Sequence, residues 1–174
     1  GDTVLGADDI SGILEILYGV QLVIDSGKPH KKIELLFTIG EELYVKGSDV
    51  FDYSKVTAKQ AYVLDLSEET TFNIGTIQGG TATNIMPDCC VLTAYETPLE
   101  SKSVTDFQKA CEILGFSGEL TGTFGGSDNN SFAKNGIEGL VLSNGMYNAH
   151  STREYTTVDD LYKGAELIGQ LILL

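Results

Sequence analysis

Gly6-Ala7-Asp8-Asp9-Ile10-Ser11-Gly12 is the stretch that decides the fold prediction for this chain of 174 residues. Its two adjacent aspartates stand between a short apolar segment, Thr3-Val4-Leu5, and a long apolar run that is typical of a helix. One interpretation is structural, because aspartate is a favourable helix N-cap and a second acid complements the helix dipole. The alternative is that the pair belongs to a larger cluster of carboxylates.

Further acids placed at strand ends favour the cluster. Glu41-Glu42 follow a strand-like apolar run from Ile33 to Ile39, and Asp65 ends the apolar run that starts at Ala61. Active sites in parallel α/β sheets lie beyond the carboxyl ends of strands, which is where these acids are placed. Clustered carboxylates repel one another and need cations, most simply divalent metal ions.

The composition indicates a soluble globular protein of ordinary hydrophobic content, 42%, and charged content, 21%. The net charge of −14 with only 11 basic residues argues against nucleic acid or an anionic membrane as a partner, because phosphate contacts need Lys and Arg. No signal peptide or membrane-spanning segment is recognised. The odd count of three cysteines, without CxxC spacing, favours free thiols and a cytoplasmic protein.

Hydrophobic patterning predicts strands that alternate with helices, and therefore an α/β protein with a mostly parallel sheet. Helices are predicted at about residues 9–26, 104–114 and 158–174, with a short one that ends near 133, and strands at 32–38, 61–65, 72–77, 89–94 and 137–142. The first helix carries apolar residues on nearly all faces, so we expect it to be largely buried. The run at 32–38 has the character of a central strand covered on both faces.

Five motifs, in order, resemble one family of metallopeptidases. They are Gly6-Ala7-Asp8-Asp9, Phe37-Thr38-Ile39-Gly40-Glu41-Glu42, Tyr62-Val63-Leu64-Asp65, Gly125-Gly126-Ser127-Asp128-Asn129-Asn130 and Asn148-Ala149-His150-Ser151-Thr152-Arg153-Glu154-Tyr155. Over nearly the whole chain they are similar to the tripeptidase T-like branch of the di-zinc aminopeptidase and carboxypeptidase family. The resemblance implies a zinc-peptidase-like three-layer sandwich with a mostly parallel central sheet, and a smaller α+β lid domain.

The resemblance implies a metal centre with four ligands. Asp8 would bridge two zinc ions, with Mn²⁺ or Co²⁺ as alternative metals. Glu42 and His150 would hold one of the two ions, and Asp65 would hold the other. Carboxylate oxygen and neutral imidazole are ordinary zinc donors, so the residue types fit this assignment.

The same resemblance implies the reaction and the substrate. It is that of a metal-dependent exopeptidase, or tripeptidase-like hydrolase, which removes N-terminal residues from small peptides. Glu41 would be the general base that takes a proton from the attacking water. Asn84 would contact the substrate from the lid, although an Asx-turn before Pro87 is an alternative role for it. The family also has a cis peptide bond after its bridging aspartate, which here would join Asp8 and Asp9.

Some features of that family are not found in these residues. Its upstream His-x-Asp motif is missing, so the Asp65 metal would lack its histidine, and most of the lid is missing near 68–71 and 99–103. We predict a catalytic domain at 1–68 and 103–174, with a remnant of the lid at 69–102. We expect the 174 residues to be part of a longer polypeptide that forms a homodimer through its lid. A reduced, non-catalytic relative that binds metal or a partner is the alternative.

Overall fold

The computed structural model describes residues 2–43, 45–66, 76–79, 90–93, 97–121 and 127–174. The helices are α1 (Ala7–Ser26), α2 (Lys46–Asp49), α3 (Lys102–Leu114), α4 (Asn129–Lys134) and α5 (Val158–Leu173), with 3₁₀ turns at Glu41–Leu43 and Tyr53–Lys55. The strands are β1 (Gln60–Leu66), β2 (Thr76–Gly79), β3 (Cys90–Thr93), β4 (Glu138–Ser143), β5 (Met146–Tyr147) and β6 (Tyr155–Thr156). The four predicted helices are thus confirmed.

β1 and β4 form a parallel pair, which confirms the predicted α/β class with a parallel sheet. Residues 60–64 of β1 lie opposite residues 138–142 of β4, and the register is interrupted between Leu64 and Leu66. Such an irregularity changes the direction of the side chain at the extra residue. Asp65 is that residue, so its carboxylate leaves the regular alternation of the strand at the carboxyl end of the sheet.

The hydrophobic core lies between this strand pair and helices α3 and α5. Its buried members are Leu64, Ala110, Leu142, Ile168 and Leu171. Phe107 of α3 packs against the same cluster. The core therefore fixes the two strand ends beside which the acidic side chains gather.

Helix α1 packs against α5 through its small residues, and the prediction that it is buried on nearly all faces is wrong. Its buried positions include Gly12 and Gly19, and a Cβ atom on Gly19 would lie 2.7 Å from the Ala165 carbonyl oxygen. The absence of a side chain lets the two backbones approach closely. Several larger apolar residues of α1 are exposed: Ile10, Leu14, Leu17, Tyr18 and Ile24.

The segment at 32–38 is not a strand, which corrects the prediction of a central strand there. Leu35 and Phe37 are 46% and 48% exposed, and no described strand pairs with the segment. Side chains hold it instead, because Glu34 accepts hydrogen bonds from the backbone N–H groups of Thr57 and Ala58, at 2.9 and 3.0 Å. An apolar run indicates that burial is favourable, but a β-strand also needs a neighbouring strand for its backbone hydrogen bonds, which the run itself does not predict.

β2 and β3 pair with each other in an antiparallel two-stranded sheet. β2 overlaps the predicted strand 72–77 at residues 76 and 77, and β3 lies within the predicted strand 89–94. Residues 72–75, 89 and 94 lie outside the described ranges. The division into a catalytic domain and a lid remnant at 69–102 stays a prediction. Within the described residues, no helix is long and apolar enough to span a membrane.

Candidate metal centre

The start of α1 presents two aspartates in a non-helical backbone. Asp8 (φ −84, ψ 101) and Asp9 (φ −116, ψ 38) leave the helical region, and the bond between them is cis, as predicted. Gly6 is the N-cap, in the left-handed conformation, and no side chain from the helix itself caps it. The interpretation of these aspartates as a helix cap is therefore wrong.

His150 joins two of the ligands that the sequence predicted. Its Nε2 atom lies 2.7 Å from Oδ2 of Asp8 and 2.7 Å from Oε1 of Glu42. Burial lowers the pKa of His150, but the Glu42 and Asp8 carboxylates outweigh burial, and the net shift of the pKa is upward. One N–H group cannot donate a good hydrogen bond to both carboxylates at once, whereas a cation among the three atoms would bind all of them. Two carboxylates and one imidazole are a donor set that fits zinc.

A second group of ligand atoms adjoins the first and shares Asp8 with it. The carboxylates of Asp8, Asp9 and Asp65 offer oxygens within 4.8 Å of one another. Burial raises the pKa of both Asp9 and Asp65, and the charges of their acidic neighbours raise both further. Oδ2 of Asp65 is buried and has no hydrogen-bond partner among the described residues. Both observations fit a cation, which would offset the repulsion and satisfy the buried oxygen.

Asp9 is a member of this centre that sequence reasoning assigned only to the start of the helix. Its Oδ1 atom accepts a hydrogen bond of 3.0 Å from the amide of Asn144, a fully buried residue that follows β4. The same amide donates to Ser11 Oγ at 3.1 Å. The adjacency of Asp8 and Asp9 was the available signal for Asp9, whereas nothing in the pattern around Asn144 marked it.

Glu41 lies beside the metal-ligand groups without belonging to either of them. Burial, followed by the charges of Glu42, Asp128 and Asp8 in that order, raises the pKa of Glu41 to about 7. Its neighbour Glu42 is directed at His150. The two glutamates of the 3₁₀ turn therefore have different surroundings, one in contact with the imidazole and one available to exchange a proton near pH 7.

Asp128 anchors the segments on both sides of this turn. It is buried, and its carboxylate accepts hydrogen bonds from the Thr38 hydroxyl, before the turn, and from Ser48 Oγ at 2.5 Å, after it. Ser48 is itself fully buried and contacts Ser131 Oγ at 3.1 Å. Asp128 belongs to one of the five sequence motifs, but the sequence indicated no role for it because its partners are distant in the chain.

Glu154 connects the histidine turn with the start of α1. Its Oε2 atom accepts hydrogen bonds from the backbone N–H groups of Gly6, at 2.6 Å, and Ala7, at 3.2 Å. Oε1 accepts a longer one, 3.4 Å, from the N–H of Asp8. Asn84, the predicted substrate contact, lies outside the described residues, as do Gly125 and Gly126.

A sequence model of peptidase family M20/M25/M40 matches residues 6–174. The chain belongs to this family. As a member of the M20 family it is similar to the uncharacterized protein YqjE of Bacillus subtilis, at 23% identity over 99% of this chain and 72% of that protein. The alignment with YqjE spans 268 positions, more than the 174 residues here, so YqjE has additional residues within the matched region.

Shorter sequence matches confirm the resemblance to the tripeptidase T branch, and solved structures share the fold. Peptidase T of Clostridium botulinum is 46% identical over 66 residues, which are 37% of this chain and only 16% of that protein. The aminopeptidase PepT of Bacillus cereus has the same fold, with a TM-score of 0.82, 22% identity and coverage of 99% of this chain and 72% of its own. A tripeptidase of Staphylococcus aureus gives a TM-score of 0.81 at 19% identity and the same coverage. These likenesses confirm the predicted fold.

Proposed function

We propose that this M20 family member is a metal-dependent exopeptidase that removes N-terminal residues from small peptides. The observation that carries the proposal is the position of His150 Nε2, 2.7 Å from an oxygen of both Asp8 and Glu42. Two proteins of known structure that share its fold are an aminopeptidase and a tripeptidase, which supports the choice of substrate. We place the protein in the cytoplasm on the evidence of its cysteine usage.

The residues divide into ligands and a proton carrier. Asp8, Glu42 and His150 would hold one divalent cation, zinc by their donor set. Asp8 and Asp65, with Asp9 beside them, would hold a second, and a set of carboxylates alone favours Mg²⁺ or Mn²⁺ over zinc. When bound, such ions polarise the peptide carbonyl and lower the pKa of water.

Glu41 carries out the proton transfers. As a carboxylate it accepts a proton from the water that attacks the peptide carbonyl. It then donates this proton to the leaving amine, which departs as the peptide bond breaks. A pKa raised to about 7 suits both transfers at neutral pH, because the group must be an effective base first and an effective acid afterwards.

The decisive experiment replaces Glu41 with Gln in the full-length protein. Removal of a general base typically lowers the rate by about 10²- to 10⁴-fold, so we expect tripeptide hydrolysis to fall by that factor while the metal content is unchanged. Hydrolysis is measured as the release of the N-terminal residue, and the metal content is measured by elemental analysis. Equal rates for both proteins would refute the role of Glu41, and no hydrolysis by the unaltered protein would refute the peptidase.

A non-catalytic, metal-binding relative is the second candidate. One observation favours it: the Asp8, Asp9 and Asp65 group contains no imidazole in the part of the chain that the structure describes. Metal binding without hydrolysis of any tripeptide, in the unaltered full-length protein, would support this candidate over the enzyme.

A further inference from the structure

Glu154 is a buried carboxylate, 7% exposed, whose hydrogen bonds in the structure go to backbone rather than to a basic side chain. Its three donors are consecutive N–H groups, those of Gly6, Ala7 and Asp8, separated from it by at least 146 positions in sequence. The first N–H groups of a helix have no intrahelical acceptor, and here no side chain from the helix itself caps them. Hydrogen bonds from such groups to a carboxylate are stronger than those between neutral partners.

Glu154 also belongs to the turn that carries His150. The N–H of Glu154 donates to the Ser151 carbonyl oxygen at 3.1 Å, and Ser151 Oγ donates to the Asn148 carbonyl oxygen at 2.8 Å. These bonds close the turn around His150, which has a φ of 63. The side chain of Glu154 therefore joins a self-contained turn that bears one metal ligand to the backbone that bears another.

We propose that Glu154 is a positioning residue that sets the distance between Asp8 and His150. The inference rests on the proposed function, since that distance matters only if the two residues share a cation. Asp8 and His150 come from segments 142 positions apart. Apart from bonds made by the ligand side chains themselves, the hydrogen bonds between these two segments in the described residues are those of Glu154. Ligands held at the right spacing before binding need no reorganisation when the cation arrives.

The test is the zinc affinity of a Glu154→Gln variant of the full-length protein, measured by competition with a chromophoric chelator. Gln keeps one oxygen for the Gly6 and Ala7 N–H groups but turns an NH₂ group toward the N–H of Asp8. The matched control is Glu138→Gln, because Glu138 also accepts from a backbone N–H, that of Ser103 at 2.8 Å, away from the centre. Loss of a residue that orients a ligand typically costs about 10- to 100-fold in metal affinity, which we expect for E154Q and not for E138Q.

Two further measurements separate positioning from a general structural role. Bound Co²⁺ should show an altered visible spectrum in E154Q, because its ligand geometry has changed, and an unaltered one in E138Q. Glu154→Asp keeps the charge but moves it one methylene away from the N–H groups at the start of α1. We expect weakened zinc binding from this variant as well, so it replaces E154Q in the test if E154Q does not fold.

Each outcome decides the inference. Weaker zinc binding and an altered Co²⁺ spectrum in the Glu154 variants alone support it. Unchanged zinc affinity and spectrum in a folded variant would overturn it while leaving the proposed function intact. Absence of zinc binding by the unaltered protein would overturn both the positioning role of Glu154 and the proposed function. The failure of the positioning role alone is thus distinguishable from the failure of both.

Discussion

Single residues determine which metal the centre would select. Asp8 is shared by both groups of ligand atoms, whereas His150 supplies the imidazole to one of them and Asp65 supplies a buried carboxylate to the other. Imidazole suits zinc, and carboxylates suit harder ions. The choice of metal at each position should therefore respond differently to the loss of His150 and of Asp65.

Replacement of His150 with Ala is expected to abolish zinc binding at the first position, because only the exposed Glu42 and the shared Asp8 would be left there. Replacement of Asp65 with Asn should leave that zinc nearly unchanged, because Asp65 is not in its ligand group. Zinc per chain, measured by elemental analysis after dialysis of the full-length protein, checks both expectations. Equal zinc loss in the two variants would contradict the division into two ligand groups.

At the scale of elements, the contact between α1 and α5 depends on a glycine. A Cβ atom on Gly19 would lie 2.7 Å from the Ala165 carbonyl oxygen and 2.9 Å from Ile168 Cβ, which is too close for either backbone to remain in place. Gly19→Ala should therefore lower the free energy of unfolding by about 1–3 kcal/mol, as overpacking does. Urea unfolding of the metal-free protein measures this change.

Gly169 provides the matched control across the same interface. A Cβ atom there would lie 3.4 Å from the Gly19 carbonyl oxygen and 3.8 Å from Val23 Cγ2, which are ordinary contacts. Gly169→Ala should thus gain stability, by about 0.5–1 kcal/mol from the reduced flexibility of the unfolded chain. A stabilising Gly19→Ala would show that the helices are not packed as closely as the structure has them.

The stability of the segment at 32–38 depends on the charge of Glu34. Hydrogen bonds from Lys32, Thr57 and Ala58 lower the pKa of Glu34 from 4.5 to about 2. Between these values the unfolded chain binds the proton that the folded chain excludes, so the stabilisation is complete above about pH 4.5 and is lost as the pH falls toward 2. Glu34→Gln should be less stable at neutral pH and should lose less stability over this acid range.

Urea midpoints from pH 6 downward check this, with Glu112→Gln, an exposed position on α3, as the control. Other acids with lowered pKa values, Asp52, Asp106 and Glu138, contribute to acid unfolding in every variant, so only the difference between the variants is informative. An acid dependence of Glu34→Gln identical to that of the unaltered protein would show that the hydrogen bonds of Glu34 do not favour its ionised form.

At the scale of the whole molecule, the sequence predicted those features of the fold that depend on local sequence patterns. Periodicity was sufficient to predict α3 and α5. The alternation of helices and strands predicted a parallel sheet, although not which strands pair in it. The exposed face of α1 was not predictable, because burial depends on which side the neighbouring helix packs against. Motif resemblance brought Asp8, Glu42 and His150 together, whereas Asn144 and Glu154 act through partners more than 130 positions away, which no local pattern records.

The ligands of the first metal come from three distant parts of the chain, so binding should stabilise the entire fold. Asp8 lies at the start of α1, Glu42 lies in a turn before α2, and His150 follows β5. A ligand that binds only the folded state adds ~2.7 kcal/mol at 100 times its dissociation constant. We expect zinc to raise the unfolding temperature of the full-length protein, and a chelator to lower it, in differential scanning calorimetry.

Asp8→Asn is the variant that isolates the metal contribution, because Asp8 belongs to both ligand groups. It removes one of the repelling charges at the centre, and so should make the metal-free protein no less stable while abolishing the response to zinc. A variant that merely disturbed the start of α1 would instead unfold at a lower temperature with and without metal. If zinc still raised the unfolding temperature of Asp8→Asn by the full amount, the stabilising ion would have to bind elsewhere, and the metal centre described above would not be its site.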